Sequence, residues 1–108
     1  MKRGDLVTLT LQGDFGKPRP ALIIQSDQFA AHASVTVLPV TSTLVAAPLL
    51  RVTVHPSAEN GLHKPSQVML DKAMTVKRDK VGPVFGRIDA DELVEVERCL
   101  AVFLGIAK

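Results

Sequence analysis

Lys17-Pro18-Arg19-Pro20 is the segment whose residue types and spacing best suit chemistry, and that chemistry is the binding of a phosphate. Proline fixes φ on either side of Arg19, and Pro20 also drives Arg19 into an extended conformation. The arginine is thereby oriented before any ligand arrives. Its guanidinium stays charged and offers a planar fork of donors that matches phosphate oxygens, while Lys17 adds a point charge nearby. The apolar run Ala21-Leu22-Ile23-Ile24 that follows reads as a buried strand, so the cation stands at the mouth of a rigid element. Taken alone, the segment is more simply a solvated loop stiffened by proline. The rest of the chain has to shift that balance.

Other chemistries lack their signatures. There is no Gly-rich phosphate loop, no two-histidine helical pair and no serine elbow. His32, His55 and His63 fall in three separate segments without ligand spacing, which predicts solvated side chains, no metal centre and no cofactor. Cys99 is the only cysteine, so the chain can form no internal disulfide, and nothing beside it would activate a thiolate. Four phenylalanines are the only aromatics. Phe15, in a glycine loop, is the one expected to be exposed, and the others fit core roles.

A chain of 108 residues with 46% apolar content suits a single domain, residues 1–108, around one core. The net charge of +2 is too mild for wholesale nucleic-acid coating but leaves room for a local basic patch. Met1-Lys2-Arg3-Gly4-Asp5 lacks the apolar centre of a signal peptide, and no apolar run approaches membrane-spanning length. The expectation is a soluble cytoplasmic protein with no membrane contact.

The elements that must position Arg19 follow from period-two alternation. Leu6–Leu11 reads as a strand, Gln12–Lys17 as a glycine-marked loop, and Pro20–Gln25 as the returning strand of an antiparallel hairpin. Ser26–His32 reads as a short helical turn capped by Ser26 or Asp27, and Ser34–Val40 as a strand whose Pro39 suggests an edge or an end. Leu50–His55 and Ser66–Leu70 are further strands, the first with Arg51, Thr53 and His55 on one face, and Phe85–Ile88 is a short one. The C-terminal segment is a helix, with Asp89 as N-cap, Glu92 at capping-box spacing, Gly105 as terminator and a stripe of Leu93, Val96, Leu100, Phe103 and Leu104. Glu97 at the edge of that stripe is expected to reach solvent, and Cys99 to lie away from its centre. Short strands with one terminal helix predict an α+β, mainly β domain built on a small, strongly bent antiparallel sheet or barrel.

Five segments in order, Arg3-Gly4-Asp5-Leu6-Val7, Lys17-Pro18-Arg19-Pro20-Ala21-Leu22-Ile23-Ile24, Val37-Leu38-Pro39-Val40-Thr41-Ser42, Ser66-Gln67-Val68-Met69-Leu70-Asp71 and Gly86-Arg87-Ile88-Asp89, resemble the MazF/PemK (Kid) toxin family. The resemblance implies a CcdB/PemK-like, SH3-like barrel of short antiparallel strands with a C-terminal helix, assembled as a homodimer. It further implies a metal-independent endoribonuclease that cuts single-stranded RNA at short sequence motifs and is held in check by a cognate acidic antitoxin.

Carried over by position, the resemblance makes Arg19, Thr41 and Asp71 the catalytic residues, and Asp14, Phe15, Lys17, Pro18, Ser42 and Lys72 the substrate-binding set. This chain departs from the pattern where Asp14-Phe15 replaces a Glu-Gln pair, where Pro18 replaces a histidine and where Met69 replaces an arginine, so the general base stays open. The reaction itself needs a group to accept the 2'-hydroxyl proton, a cation for the charge developing on phosphorus and a donor for the leaving 5'-oxygen. Arg19 suits the second role and Thr41 can hold a phosphate oxygen, whereas arginine does not readily surrender a proton. Asp14, Asp71 or a histidine remains for the first. Two alternatives compete: a CcdB-like gyrase poison without nuclease activity, which needs no phosphate-directed arginine, and a noncatalytic RNA or antitoxin-like binding module that shows no turnover.

Overall fold

Leucines and valines alternate along the N-terminal third on both sides of each strand, and the chain folds so that both sides are buried. The computed structural model describes residues 1–11 and 17–108. Strand β1 (Asp5–Leu9) and strand β2 (Arg19–Ile23) form the expected antiparallel hairpin, with Leu6 opposite Leu22 and Leu9 opposite Arg19. A 3-10 turn over Asp27–Phe29 follows, and the Ser26 side chain accepts a hydrogen bond from the Gln28 amide at its start. Then come β3 (Ser34–Thr41), β4 (Arg51–Val54), β5 (Ser66–Met69), a 3-10 turn at Leu70–Lys72, β6 (Met74–Lys77), β7 (Val81–Arg87) and helix α1 (Ala90–Phe103).

The strands form one antiparallel sheet in the order β4-β5-β3-β2-β1-β7, with β6 also paired to β3. Mainly β architecture with a C-terminal helix is therefore as expected, but the sheet does not close into a barrel: the path ends at β4 and at β7. Strand β6 was not anticipated, and β7 begins four residues earlier than the sequence suggested. Leu6, Leu22, Leu38, Val40, Val68, Val96 and Cys99 make the core under α1 on one face. Val7, Leu9, Ala21, Ile23, Val35 and Val37 make a second core on the other.

Pro39 corrects the expectation of an edge or strand end, because it lies inside β3, paired with Ala21. The Ile24 amide donates to the Thr36 carbonyl, so Thr36 and, two residues on, Leu38 turn their backbone polar groups toward β2. Pro39 turns the other way, between Val37, the last residue paired with β6, and Val40, the first paired with β5. A missing N–H costs little where one ladder stops and the next has not begun.

Helix α1 also departs in detail from its sequence pattern. Val96 and Cys99 are its buried residues, with Leu93 and Leu100 packed beside them, whereas Phe103 and Leu104 are exposed. Cys99 thus belongs to the apolar centre rather than its margin, and burial, reinforced by Glu95, pushes its thiol pKa up. Glu97 does not simply reach solvent: it accepts hydrogen bonds from Arg3 at 2.6 and 3.0 Å. Phe29 is exposed as well, so neither it nor Phe103 fills the core role expected of it. Asp89 occupies the N-cap without a capping side-chain bond.

Candidate functional site

Arg19 opens β2 and is exposed, between exposed Pro18 and partly buried Pro20. On one side it pairs with Leu9 of β1. On the other, the register that sets Ala21 opposite Pro39 places Arg19 opposite Thr41 when continued by two residues. Pleat alternation puts Arg19 on the face of Ala21 and Ile23, and Thr41 on the face of Val37, which is the same face. On this register Arg19 and Thr41 stand at the same end of β2 and β3, on one face. Thr41 is the last residue of β3, and its hydroxyl oxygen accepts a hydrogen bond from the Thr43 amide at 3.1 Å. That bond uses a lone pair and leaves the hydroxyl proton to be donated elsewhere.

Asp71 lies on the other side of β3 and further along it, between the levels of Val37 and Pro39 rather than at Thr41. It sits in the 3-10 turn Leu70–Lys72, which joins β5, paired to Val40 and Thr41, to β6, paired to Ser34 through Val37. Arg19 and Asp71 thus lie on opposite sides of β3 and at different levels along it. One Asp71 carboxylate oxygen is buried without a hydrogen-bond partner among the described residues. Lys72 beside it is exposed, as are Lys17, Pro18 and Ser42. Asp14 and Phe15 lie outside the described residues.

The even-numbered neighbours of Arg19 and Thr41 face the other way. Pro18, Pro20 and Ser42, with Thr8, Ser66, Leu62, His63, Lys64 and Phe85, line an open groove of about 430 Å³. Among the described residues no carboxylate lines it, and Lys64 supplies a cation. Of these, the sequence had assigned Pro18 and Ser42 to substrate binding, Pro20 to orienting Arg19 and His63 to the histidines open as a base, but it did not gather them into one groove. Period-two counting from Leu6 reaches Thr8, but no local pattern announces that the 61–64 segment folds back against Phe85. The histidines are exposed, as expected, and among the described residues no helix is long and apolar enough to cross a membrane.

Comparison with known proteins agrees with this arrangement. The family described as PemK-like, MazF-like toxin of type II toxin-antitoxin system matches residues 2–104. The chain is 47% identical over 108 residues, 99% of each protein, to the probable endoribonuclease MazF of Mycolicibacterium smegmatis. It is similar to the structure of the Mycobacterium tuberculosis toxin MazF-mt6, with a TM-score of 0.81, 26% identity and coverage of 96% of this chain and 99% of that one. It is also similar to a chain of the MazE-MazF crystal structure (Form-II) from Deinococcus radiodurans, with a TM-score of 0.80, 27% identity and coverage of 99% and 97%. These matches weigh against the gyrase-poison alternative. Match, fold and strand order together lead to one conclusion: the chain belongs to the PemK-like, MazF-like toxins of type II toxin-antitoxin systems.

Proposed function

We propose that this protein is an endoribonuclease toxin that cuts single-stranded RNA within short sequence motifs through the RNA's own 2'-hydroxyl. The observation that carries the reading is exposed Arg19 at the start of β2, opposite Thr41 when the β2–β3 register is continued, in a chain related along its full length to a probable endoribonuclease. In this reaction the 2'-hydroxyl gives its proton to a base as its oxygen attacks phosphorus, the bond to the 5'-oxygen breaks and that oxygen takes up a proton from solvent, so the products are a 2',3'-cyclic phosphate and a free 5'-hydroxyl. Arg19 offsets the charge that develops on the non-bridging oxygens, where a preorganised donor acts most strongly. Thr41 donates its remaining proton to one of those oxygens. Asp71, Asp14 or a histidine accepts the 2'-proton. The chemistry needs no metal ion. The proposal extends to a homodimer in the cytoplasm, restrained by a cognate antitoxin whose acidic segment competes with RNA for Lys17, Arg19, Arg51, Lys64 and Lys72.

The test is to incubate the purified protein with a long RNA in EDTA and to map the product ends. Cyclic phosphates at a small set of recurring motifs support the reading. Intact RNA, or cutting only when metal is restored, overturns it.

A further inference from the structure

The groove on the opposite face from Arg19 has its own construction, and that construction is rigid. Asn60 is 2% exposed and holds the loop before β5: its Oδ1 accepts from the Ser57 and Leu62 amides, and its Nδ2 donates to the His55 carbonyl. The Arg87 amide donates to the Glu59 carbonyl at 2.8 Å, tying the same loop to β7. Glycine is required twice for this approach. Gly61 adopts φ +67°, and a Cβ there would meet the Phe85 backbone and ring; a Cβ at Gly86 would collide with the Asn60 carbonyl. Ser66, itself buried, donates to the Lys64 carbonyl at 2.9 Å and fixes the residue after His63. Phe85 packs one side against the core and turns the other to the groove.

We infer that this groove receives one unstacked nucleobase of the RNA strand and that Phe85 and His63 determine which base is accepted there. The inference rests on the endoribonuclease reading and deepens it. Pro18 and Ser42, which line the groove, are the direct chain neighbours of Arg19 and Thr41, so a strand passing over the ends of β2 and β3 meets the phosphate-directed pair on one face and the groove on the other. The lining suits a base better than a peptide side chain. An aromatic ring and two prolines offer flat apolar surface, the Thr8 and Ser42 hydroxyls and the His63 imidazole offer both donors and acceptors to a base edge, and Lys64 attracts the adjoining phosphate. A preformed slot loses little entropy when the base enters.

The experiment maps cleavage of an RNA pool with a randomised segment by wild type, Phe85→Leu and His63→Ala, with thermal melts to confirm that each variant folds. Phe85→Leu keeps apolar volume but removes the stacking surface. Wild type should show a base preference at one position flanking the cleaved bond. Both variants should still cut, with that one preference relaxed about 10-fold, the size expected for a lost stacking or edge contact, and with preferences at other positions retained. Unchanged profiles in both variants would overturn the inference. So would variants that keep the wild-type profile yet no longer bind an acidic antitoxin peptide, which would make the groove a peptide site. Absence of cutting by wild type itself would instead overturn the endoribonuclease reading and this assignment with it.

Discussion

Arg3 and Glu97, 94 residues apart, are joined by two hydrogen bonds to a single carboxylate oxygen, at 3.0 Å from Nε and 2.6 Å from Nη2. The contact ties the chain's N-terminal turn to helix α1. It lies at the surface, with the two side chains 30% and 41% exposed, so solvent and salt weaken it. Glu97→Gln should therefore cost less than about 1 kcal/mol in urea denaturation, and the loss should shrink further in high salt. A loss of several kcal/mol, or one insensitive to salt, would mean that the pair orders the N-terminal turn as a unit.

How far such features can be read from sequence depends on whether they are local. The β1-β2 hairpin, the Ser26 cap and the helix were legible because each follows from neighbouring residues: alternation, a capping hydroxyl, a 3.6-residue stripe. The Arg3–Glu97 pair was not, since nothing in a helix projection says what a distant terminus will place beside its rim. Pro39 misled for a similar reason, because the proline rule describes one ladder and β3 exchanges partners midway. Of the candidate site, Arg19 was visible through its flanking prolines, while Thr41 and Asp71 entered only through family resemblance. The Phe85 groove depends on Gly61, Gly86 and Asn60 meeting across 25 residues of chain, and no spacing encodes that meeting.

Glu92 gives the fold a pH dependence of defined sign. Partial burial, and then the neighbouring Asp89 charge, raise its pKa, against a backbone hydrogen bond at Asp89 that lowers it. A carboxyl with a raised folded pKa contributes stability that is fully present below its unfolded value and is lost as pH rises through the folded value. At neutral pH the ionised Glu92 is thus a cost. Glu92→Gln, which keeps an oxygen for the Asp89 backbone, should be at least as stable as wild type at pH 7, and its advantage should fade below about pH 4. Urea denaturation across pH checks this, and an advantage that grows toward acid would contradict it.

Thr41 and Ser42 are adjacent but face opposite sides of β3, which predicts different consequences for losing each hydroxyl. Thr41→Val removes both the proposed donor to phosphate and the acceptor for the Thr43 amide. It should lower the single-turnover cleavage rate by about 10-fold or more, as expected for one lost hydrogen bond to a charged group. Ser42→Ala should do less. Thr41→Ser keeps the hydroxyl and should recover most of the rate. Equal rates for Thr41→Val and wild type would remove Thr41 from the reaction.

The antitoxin and RNA should differ in their response to salt. RNA binding depends on neutralised phosphates and falls steeply as counterion release loses its advantage. An acidic peptide laid over the same cations also has hydrophobic side chains to bury, which salt does not weaken, and it loses entropy on ordering. Affinities for both ligands measured across a salt series should show the steeper slope for RNA, and light scattering should give the mass of a dimer. Equal slopes, or a monomer at micromolar concentration, would count against a shared site on a dimer.

The most direct measurement is single-turnover cleavage of one RNA of mapped sequence by wild type and Arg19→Ala in the same EDTA buffer. Arg19 is exposed at the start of β2, so its removal leaves the strand pairing and both cores in place. The account predicts a protein that still folds with a cooperative melt and a cleavage rate lower by about 100-fold to 1000-fold, the usual cost of losing one preorganised donor to the transition state. A folded Arg19→Ala protein that cuts the same bond at the wild-type rate would contradict it.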